Sequence, residues 1–136
     1  MENVILVIFL FITILFGFQY YLIQRSKRIV GQNISLERLR PQLKRELENK
    51  KVLVYFYSEN CSACKTQAPV IENLKKEKFN VITIDVSKDL ETARIFGIMG
   101  TPSIAILDNN LVKEFFVGYQ DENKIKKYLV KSQEEE

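Results

Sequence analysis

The chain has 136 residues, 46% of them hydrophobic and 27% charged, with a formal net charge of +3; that suits one domain and a short extra segment. Basic and acidic side chains are interspersed along its polar part, which excludes the concentrated basic stripe that nucleic-acid binding needs. With no histidine and two cysteines, neither a His-activated nucleophile nor a His-based metal site can be assembled. A four-cysteine zinc site would need two chains, and a multiply stapled mini-protein is excluded.

Residues 4–23 read VILVIFLFITILFGFQYYLI, a run with no charge and about 20 residues long, the span of a bilayer core. Thr13, Gly17 and Gln19 are its only weak points, and Tyr20 and Tyr21 stand where amphipathic rings favour the membrane interface. The preceding Met-Glu-Asn lacks the basic side chain of a signal peptide, and no Ala-x-Ala cleavage site follows. Residues 1–23 are therefore expected to form a retained transmembrane anchor. No Lys or Arg precedes the span, whereas Arg25, Lys27, Arg28, Arg38, Arg40, Lys44 and Arg45 follow it. The positive-inside rule then predicts a single-pass protein with its soluble domain on the cytoplasmic side.

Residues 24–34 are polar and basic and are expected to be a juxtamembrane linker, its cations either against anionic headgroups or in water. From 35 to 50, Leu36, Leu39, Leu43 and Leu47 recur at helical spacing, facing a core; Pro41 moves the expected helix start to that residue. Residues 51–57 (KVLVYFY) are β-branched and aromatic on both alternating faces, the pattern of a central strand covered on both sides. Ser58 to Asn60 break it, and a helix is expected over 61–78 with Val70, Ile71 and Leu74 inward. Residues 80–86 (NVITIDV) predict a second buried strand, and 88–96 a short helix closed by Gly97. Two strands, 103–107 and 111–117, flank the turn Asp108-Asn109-Asn110. A closing helix is expected over 121–131, with Ile125, Tyr128 and Leu129 on one side, before an acidic tail at 132–136. Alternation first and a hairpin later predict an α/β domain over 35–131: a mixed sheet with helices on both faces.

The chemistry concentrates at Cys61-Ser62-Ala63-Cys64, where a strand hands over to a helix. Unpaired amides and the dipole at a helix N-terminus stabilise negative charge, and the thiolate is the reactive form of cysteine. The spacing puts the second sulfur one turn along, within reach of a disulfide. Cys61 is then the candidate nucleophile towards a substrate disulfide, and Cys64 the candidate resolving thiol. A C-x-x-C also marks half of a zinc site, and two core cysteines can fall at this spacing by chance. The strand before, the helix after and the lack of further ligands favour redox over metal.

With these motifs in order, the chain resembles the thioredoxin family over roughly residues 36–130. VLVYFYSENCSACK resembles the family's strand and active-site turn, Ala68-Pro69 the kinking proline of its active-site helix, Phe96 to Ser103 (FGIMGTPS) the segment ending in its cis-proline, and Gly118 a glycine after the last strand. The resemblance implies a thioredoxin-like fold behind the N-terminal transmembrane helix and an enzyme exchanging dithiol and disulfide with protein substrates. It also implies a cis bond before Pro102, with the backbone at Thr101 and Pro102 binding an extended substrate segment. No nucleotide or flavin fingerprint is present, so no cofactor is expected and electrons would come through another protein. The chain departs from the family's pattern in carrying Ser62-Ala63 for the usual Gly-Pro, and Tyr57 and Asn60 for flanking tryptophans. Ser62 can donate to a sulfur or face water. Tyr55 stands where the family has a buried acid, and a phenol with a solution pKa of about 10 is a poor base at neutral pH; Glu59 is nearer in sequence but in an exposed-looking turn. These departures predict a differently poised or less efficient redox protein than a general reductase. Two other functions are compatible with the residues: a non-catalytic interaction module on the same fold, and a soft-metal carrier using both thiolates, with Met99 as a possible helper.

Overall fold

The computed structural model describes residues 1–131; the acidic segment 132–136 lies outside the described residues. The apolar N-terminal run forms one helix, α1 (Glu2–Ser26), of which Asn3–Leu22 is long and apolar enough to cross a membrane and is left uncovered by the rest of the chain. The Thr13 hydroxyl in the middle of this run is satisfied locally: Thr13 Oγ1 donates to the Phe9 carbonyl at 2.7 Å, as a helix in lipid would require.

A 3₁₀ turn at Lys27–Ile29 follows directly. The chain then runs along the sheet edge, where Gly31 N–H donates to the Val112 carbonyl (2.8 Å) and Ile34 N–H to the Asn110 carbonyl (2.9 Å). Ile34 is buried in the core, and Ile29 and Val30 pack against it. The leucine stripe splits as Pro41 predicts, into a 3₁₀ turn at Leu36–Arg38 and α2 (Pro41–Leu47) with the proline in its first turn. There the missing N–H costs nothing.

The sheet comprises β1 (Lys51–Tyr57), β2 (Val81–Asp85), β3 (Ser103–Asp108) and β4 (Leu111–Val117) in the order β2-β1-β3-β4. β1 pairs parallel with β2 and antiparallel with β3, and β3 pairs antiparallel with β4. β1 is central, as its two apolar faces predict. Even-numbered Val52, Val54 and Phe56 join Leu43, Leu47 and Phe96 on one face, under α2 and α4 (Leu90–Ile95). Odd-numbered Leu53 and Tyr55 join Ile71, Leu74, Ile125 and Leu129 on the other, under α3 (Ser62–Lys76) and α5 (Glu122–Lys131).

The strand over 80–86 departs from expectation. It is an edge strand: Ile84 and Asp85 are buried, Val81 and Ile82 are half-buried, and Thr83 is exposed. Its alternation of apolar residues reads the same for an edge as for a centre, and only the sheet order separates the two.

The β3–β4 turn uses Asn109 (φ 47°) and Asn110 (φ 70°), both left-handed, as a two-residue turn matched to strand twist requires. Among the described residues, Asn110 Oδ1 is buried without a hydrogen-bond partner. Asn110→Gly should raise the unfolding free energy by about 1 kcal/mol, because relieving an unsatisfied acceptor (about 1–3 kcal/mol) outweighs the extra chain entropy of glycine (about 0.5–1 kcal/mol). A urea titration with a higher midpoint and an unchanged slope would bear this out, and a lower midpoint would contradict it.

Candidate functional site

Parallel β1 and β2 and the start of β3 all point one end at the same place. There β1 gives way to the Ser58–Asn60 turn, and Cys61 caps α3 in extended conformation. The helix expected from 61 thus begins at Ser62. Cys61 and Cys64 form a disulfide with Cα atoms 5.2 Å apart. The cap geometry aims the Cys64 amide at the Cys61 sulfur, N–H to Sγ at 3.1 Å. Ser62 is exposed, and the donor at this sulfur is the backbone, as expected of a helix N-terminus. The two sulfurs differ in access. Cys61 is half-exposed, whereas Cys64 is only 4% exposed.

The Thr101–Pro102 bond is cis. The loop it shapes lies against the disulfide, with the Thr101 carbonyl 3.4 Å from Cys61 Sγ. Two further bonds hold that loop: Ser103 Oγ donates to the Gly100 carbonyl (2.7 Å), and Gly118 N–H to the Pro102 carbonyl (2.8 Å). Gly118 has φ +84°, a conformation that favours glycine. All four expected site residues, Cys61, Cys64, Thr101 and Pro102, therefore meet at one end of the sheet.

Tyr55 reaches the site from below. It is buried, stacks on Tyr57 (centroids 5.7 Å), and its hydroxyl donates to the Cys64 carbonyl at 3.2 Å. Burial, with the neighbouring Tyr57, pushes its pKa up to about 12. Glu59 is exposed and paired with Lys88 (2.7 Å). Lys88 also lies 3.3 Å from buried Asp85. The Ser87 hydroxyl holds the Asp85 carboxyl below its ordinary range against the opposing effect of burial, with help from the Ser87 amide and Lys88. These ties brace the turn before Cys61. A cavity of about 330 Å³ opens beside Cys64, lined by Tyr55, Tyr57, Ser58, Ala68 and Ile71 among others.

Gln67 is a site-supporting residue not singled out from the sequence. It is fully buried on α3, accepts from Gln120 N–H (2.7 Å) and donates to the Gln120 carbonyl (3.1 Å). It thereby ties the active-site helix to the loop after β4. Its position, three residues past Cys64 on the inward stripe, was the one available signal. Among the described residues no three His, Cys, Asp or Glu side chains cluster to hold a metal ion.

The family model for thioredoxin matches residues 35–131. Thioredoxin of Bacillus subtilis is 34% identical over 83 residues, covering 59% of this chain and 80% of the relative. Thioredoxin of Buchnera aphidicola subsp. Baizongia pistaciae is 36% identical over 87 residues, covering 61% and 80%. Among solved structures, a mutant thioredoxin from Halobacterium salinarum superimposes with a TM-score of 0.56 at 32% identity, covering 60% of this chain and 73% of that one. Thioredoxin of Fasciola hepatica shares the fold, with a TM-score of 0.59 at 23% identity, covering 66% and 88%. A cysteine pair at this spacing, on this fold and among these relatives, makes the chain a member of the thioredoxin family and a thiol–disulfide oxidoreductase.

Proposed function

We propose that this oxidoreductase works on protein disulfides while anchored in a membrane by residues 4–23, with residues 35–131 as its catalytic domain on the cytoplasmic side. Cys61 is the nucleophile and Cys64 the resolving thiol, and the backbone at Thr101 and Pro102 binds the substrate segment. The observation that carries this reading is the unequal pair: one half-exposed sulfur facing the cis-proline loop and receiving an amide N–H, and one buried sulfur behind it. The Lys and Arg residues after the span support the sidedness.

Starting from the dithiol, the Cys61 thiolate attacks one sulfur of a substrate disulfide. That S–S bond breaks, a substrate thiolate leaves, and a mixed disulfide forms. The Cys64 thiolate then attacks Cys61 Sγ, releasing the second substrate thiolate and closing Cys61–Cys64. Two electrons pass to the substrate, and a protein dithiol must return them. In a reducing cytoplasm this favours the reductase direction. The test is reduction of insulin by the full chain in detergent micelles, together with equilibration of the Cys61–Cys64 pair against glutathione buffers. Turnover and a potential below the cytosolic pool support the reading; a potential above that pool contradicts the reductase direction and the cytoplasmic side.

Tyr55 cannot take the Cys64 proton in the neutral range, since its own is held to about pH 12. The proton leaves instead to solvent, through the cavity beside Cys64. The resolving step should therefore rise with pH on the alkaline side of neutrality, where a buried thiol gives up its proton. Tyr55→Phe should leave that profile in place and cost about 1 kcal/mol of stability through the lost bond to the Cys64 carbonyl. Tyr55→Asp should extend activity to lower pH. Rate–pH curves for the three proteins check this, and a Tyr55→Phe curve displaced from wild type would show that the phenol takes part after all.

A further inference from the structure

We infer that the disulfide end of the domain is turned towards the bilayer, so that its substrates are membrane proteins carrying a disulfide at the headgroup surface. This rests on the membrane-anchored oxidoreductase reading above. The segment between anchor and domain is docked on β4. Asn33 bridges Leu111 in antiparallel sense. Val112 N–H donates to the Gln32 carbonyl (3.0 Å), and Gly31 N–H to the Val112 carbonyl (2.8 Å). Leu111 opens β4 at the Asn109–Asn110 turn, the pole remote from the cysteines. Val117 closes β4 opposite Ser103, at the cis-proline pole. Followed backwards from Asn33, the antiparallel segment therefore travels towards the disulfide.

The 3₁₀ turn Lys27–Ile29 and the end of α1 lie against β4 on that course. Arg25 and Arg28 border one groove with Arg94 and Met99, and Met99 stands two residues before Thr101. The anchor thus leaves the domain at the active-site end, with a single 3₁₀ turn and no slack between α1 and the docked segment. Peeling this segment from β4 would break the three backbone bonds of Gly31, Gln32 and Ile34 and uncover Ile34 and Ile29.

The surface at this pole fits a membrane. Among the described residues C-terminal to α1, five large apolar side chains are exposed, and three of them flank the site: Met99 (56%), Val117 (46%) and Tyr119 (49%). Leu90 opens α4, and Val130 stands near the far end of α5. Arg25, Arg28 and Arg94 add three cations at the level where α1 emerges, matching phosphate headgroups. The opposite pole presents Lys50 and the Asn109–Asn110 turn. A site held this way has a short reach. It meets cysteines of integral membrane proteins near the lipid surface at high effective concentration and meets distant soluble proteins poorly.

The chain has no tryptophan, so single reporters can be placed in the full-length protein. In vesicles of phosphatidylcholine and phosphatidylglycerol bearing a headgroup nitroxide, Met99→Trp and Tyr119→Trp should lose most of their fluorescence, and Lys50→Trp should keep nearly all of it. Equal quenching at both poles, or quenching only at Lys50→Trp, overturns the orientation. Wild-type protein in the same vesicles should reduce a disulfide-quenched fluorophore at the headgroup end of a transmembrane peptide faster than the same reporter lifted on a long Gly/Ser stalk; equal rates overturn the substrate class. Flotation with the vesicles tests the anchor and insulin reduction in micelles tests the exchange chemistry. A failure of orientation with both of these intact is thus separate from a failure of the parent reading.

Discussion

Cys61→Ser should abolish insulin reduction, while Cys64→Ser should stop after one attack, held as a mixed disulfide with its substrate. The two cysteines are chemically alike, and their places make the difference. Cys61 caps α3, half-exposed, with the Cys64 amide 3.1 Å from its sulfur. That donor and the helix dipole stabilise the thiolate, and a serine hydroxyl at the same place is not ionised near neutral pH. No first attack then occurs. Cys64 is buried at 4% exposure, where a substrate cannot reach it but Cys61 Sγ can. Removing it leaves the first attack intact and deletes the resolving step. The measurement is non-reducing gel analysis of each variant after exposure to oxidised insulin, alongside turnover. Mixed disulfide accumulating on Cys61→Ser instead of Cys64→Ser would reverse the assignment, and turnover surviving in either single variant would remove the two-thiol cycle.

Phe56→Ala should lower the unfolding free energy by about 3–5 kcal/mol, the range for losing a buried aromatic side chain and leaving a cavity. Phe56 has no exposed surface and packs on Phe96 with ring centroids 5.0 Å apart. It lies on central β1, in the cluster that ties α2 and the end of α4 to the sheet, so relaxation from one side cannot fill the space. Against a typical total of about 5–15 kcal/mol, this variant should stand close to the edge of folding. Phe56→Leu keeps most of the volume and should cost less. Urea denaturation checks both, and a Phe56→Ala loss below about 1 kcal/mol, the scale of surface changes, would mean that this face is not close-packed.

Much of this molecule could be read from local pattern. The uncharged run at 4–23 is long enough to cross a bilayer whatever follows it, and it forms α1. The apolar faces of 51–57 suit only a covered strand, and β1 is one. Pro41 starts a helix and Gly97 (φ +62°) follows one, for backbone reasons that act within a few residues. The cysteine spacing alone bounds their distance, and the family resemblance supplied the cis bond at Pro102.

What the tertiary structure decided involves partners far apart in sequence. β2 is an edge because β3 and β4 extend the sheet on the other side of β1, which no pattern within 80–86 encodes. Gln67 is a clamp because Gln120 arrives 53 residues later. Tyr55 is a hydrogen-bonded phenol that holds its proton up to about pH 12 because α3 lies across it and excludes water. The direction in which α1 leaves the domain depends on the register of Asn33 against Leu111. Periodicity reports which face of a segment avoids water, since that is a property of the segment itself. Register, strand order and the pairing of buried polar groups are settled only when distant backbones satisfy one another's hydrogen bonds, and the position of the disulfide relative to α1 is one of those outcomes.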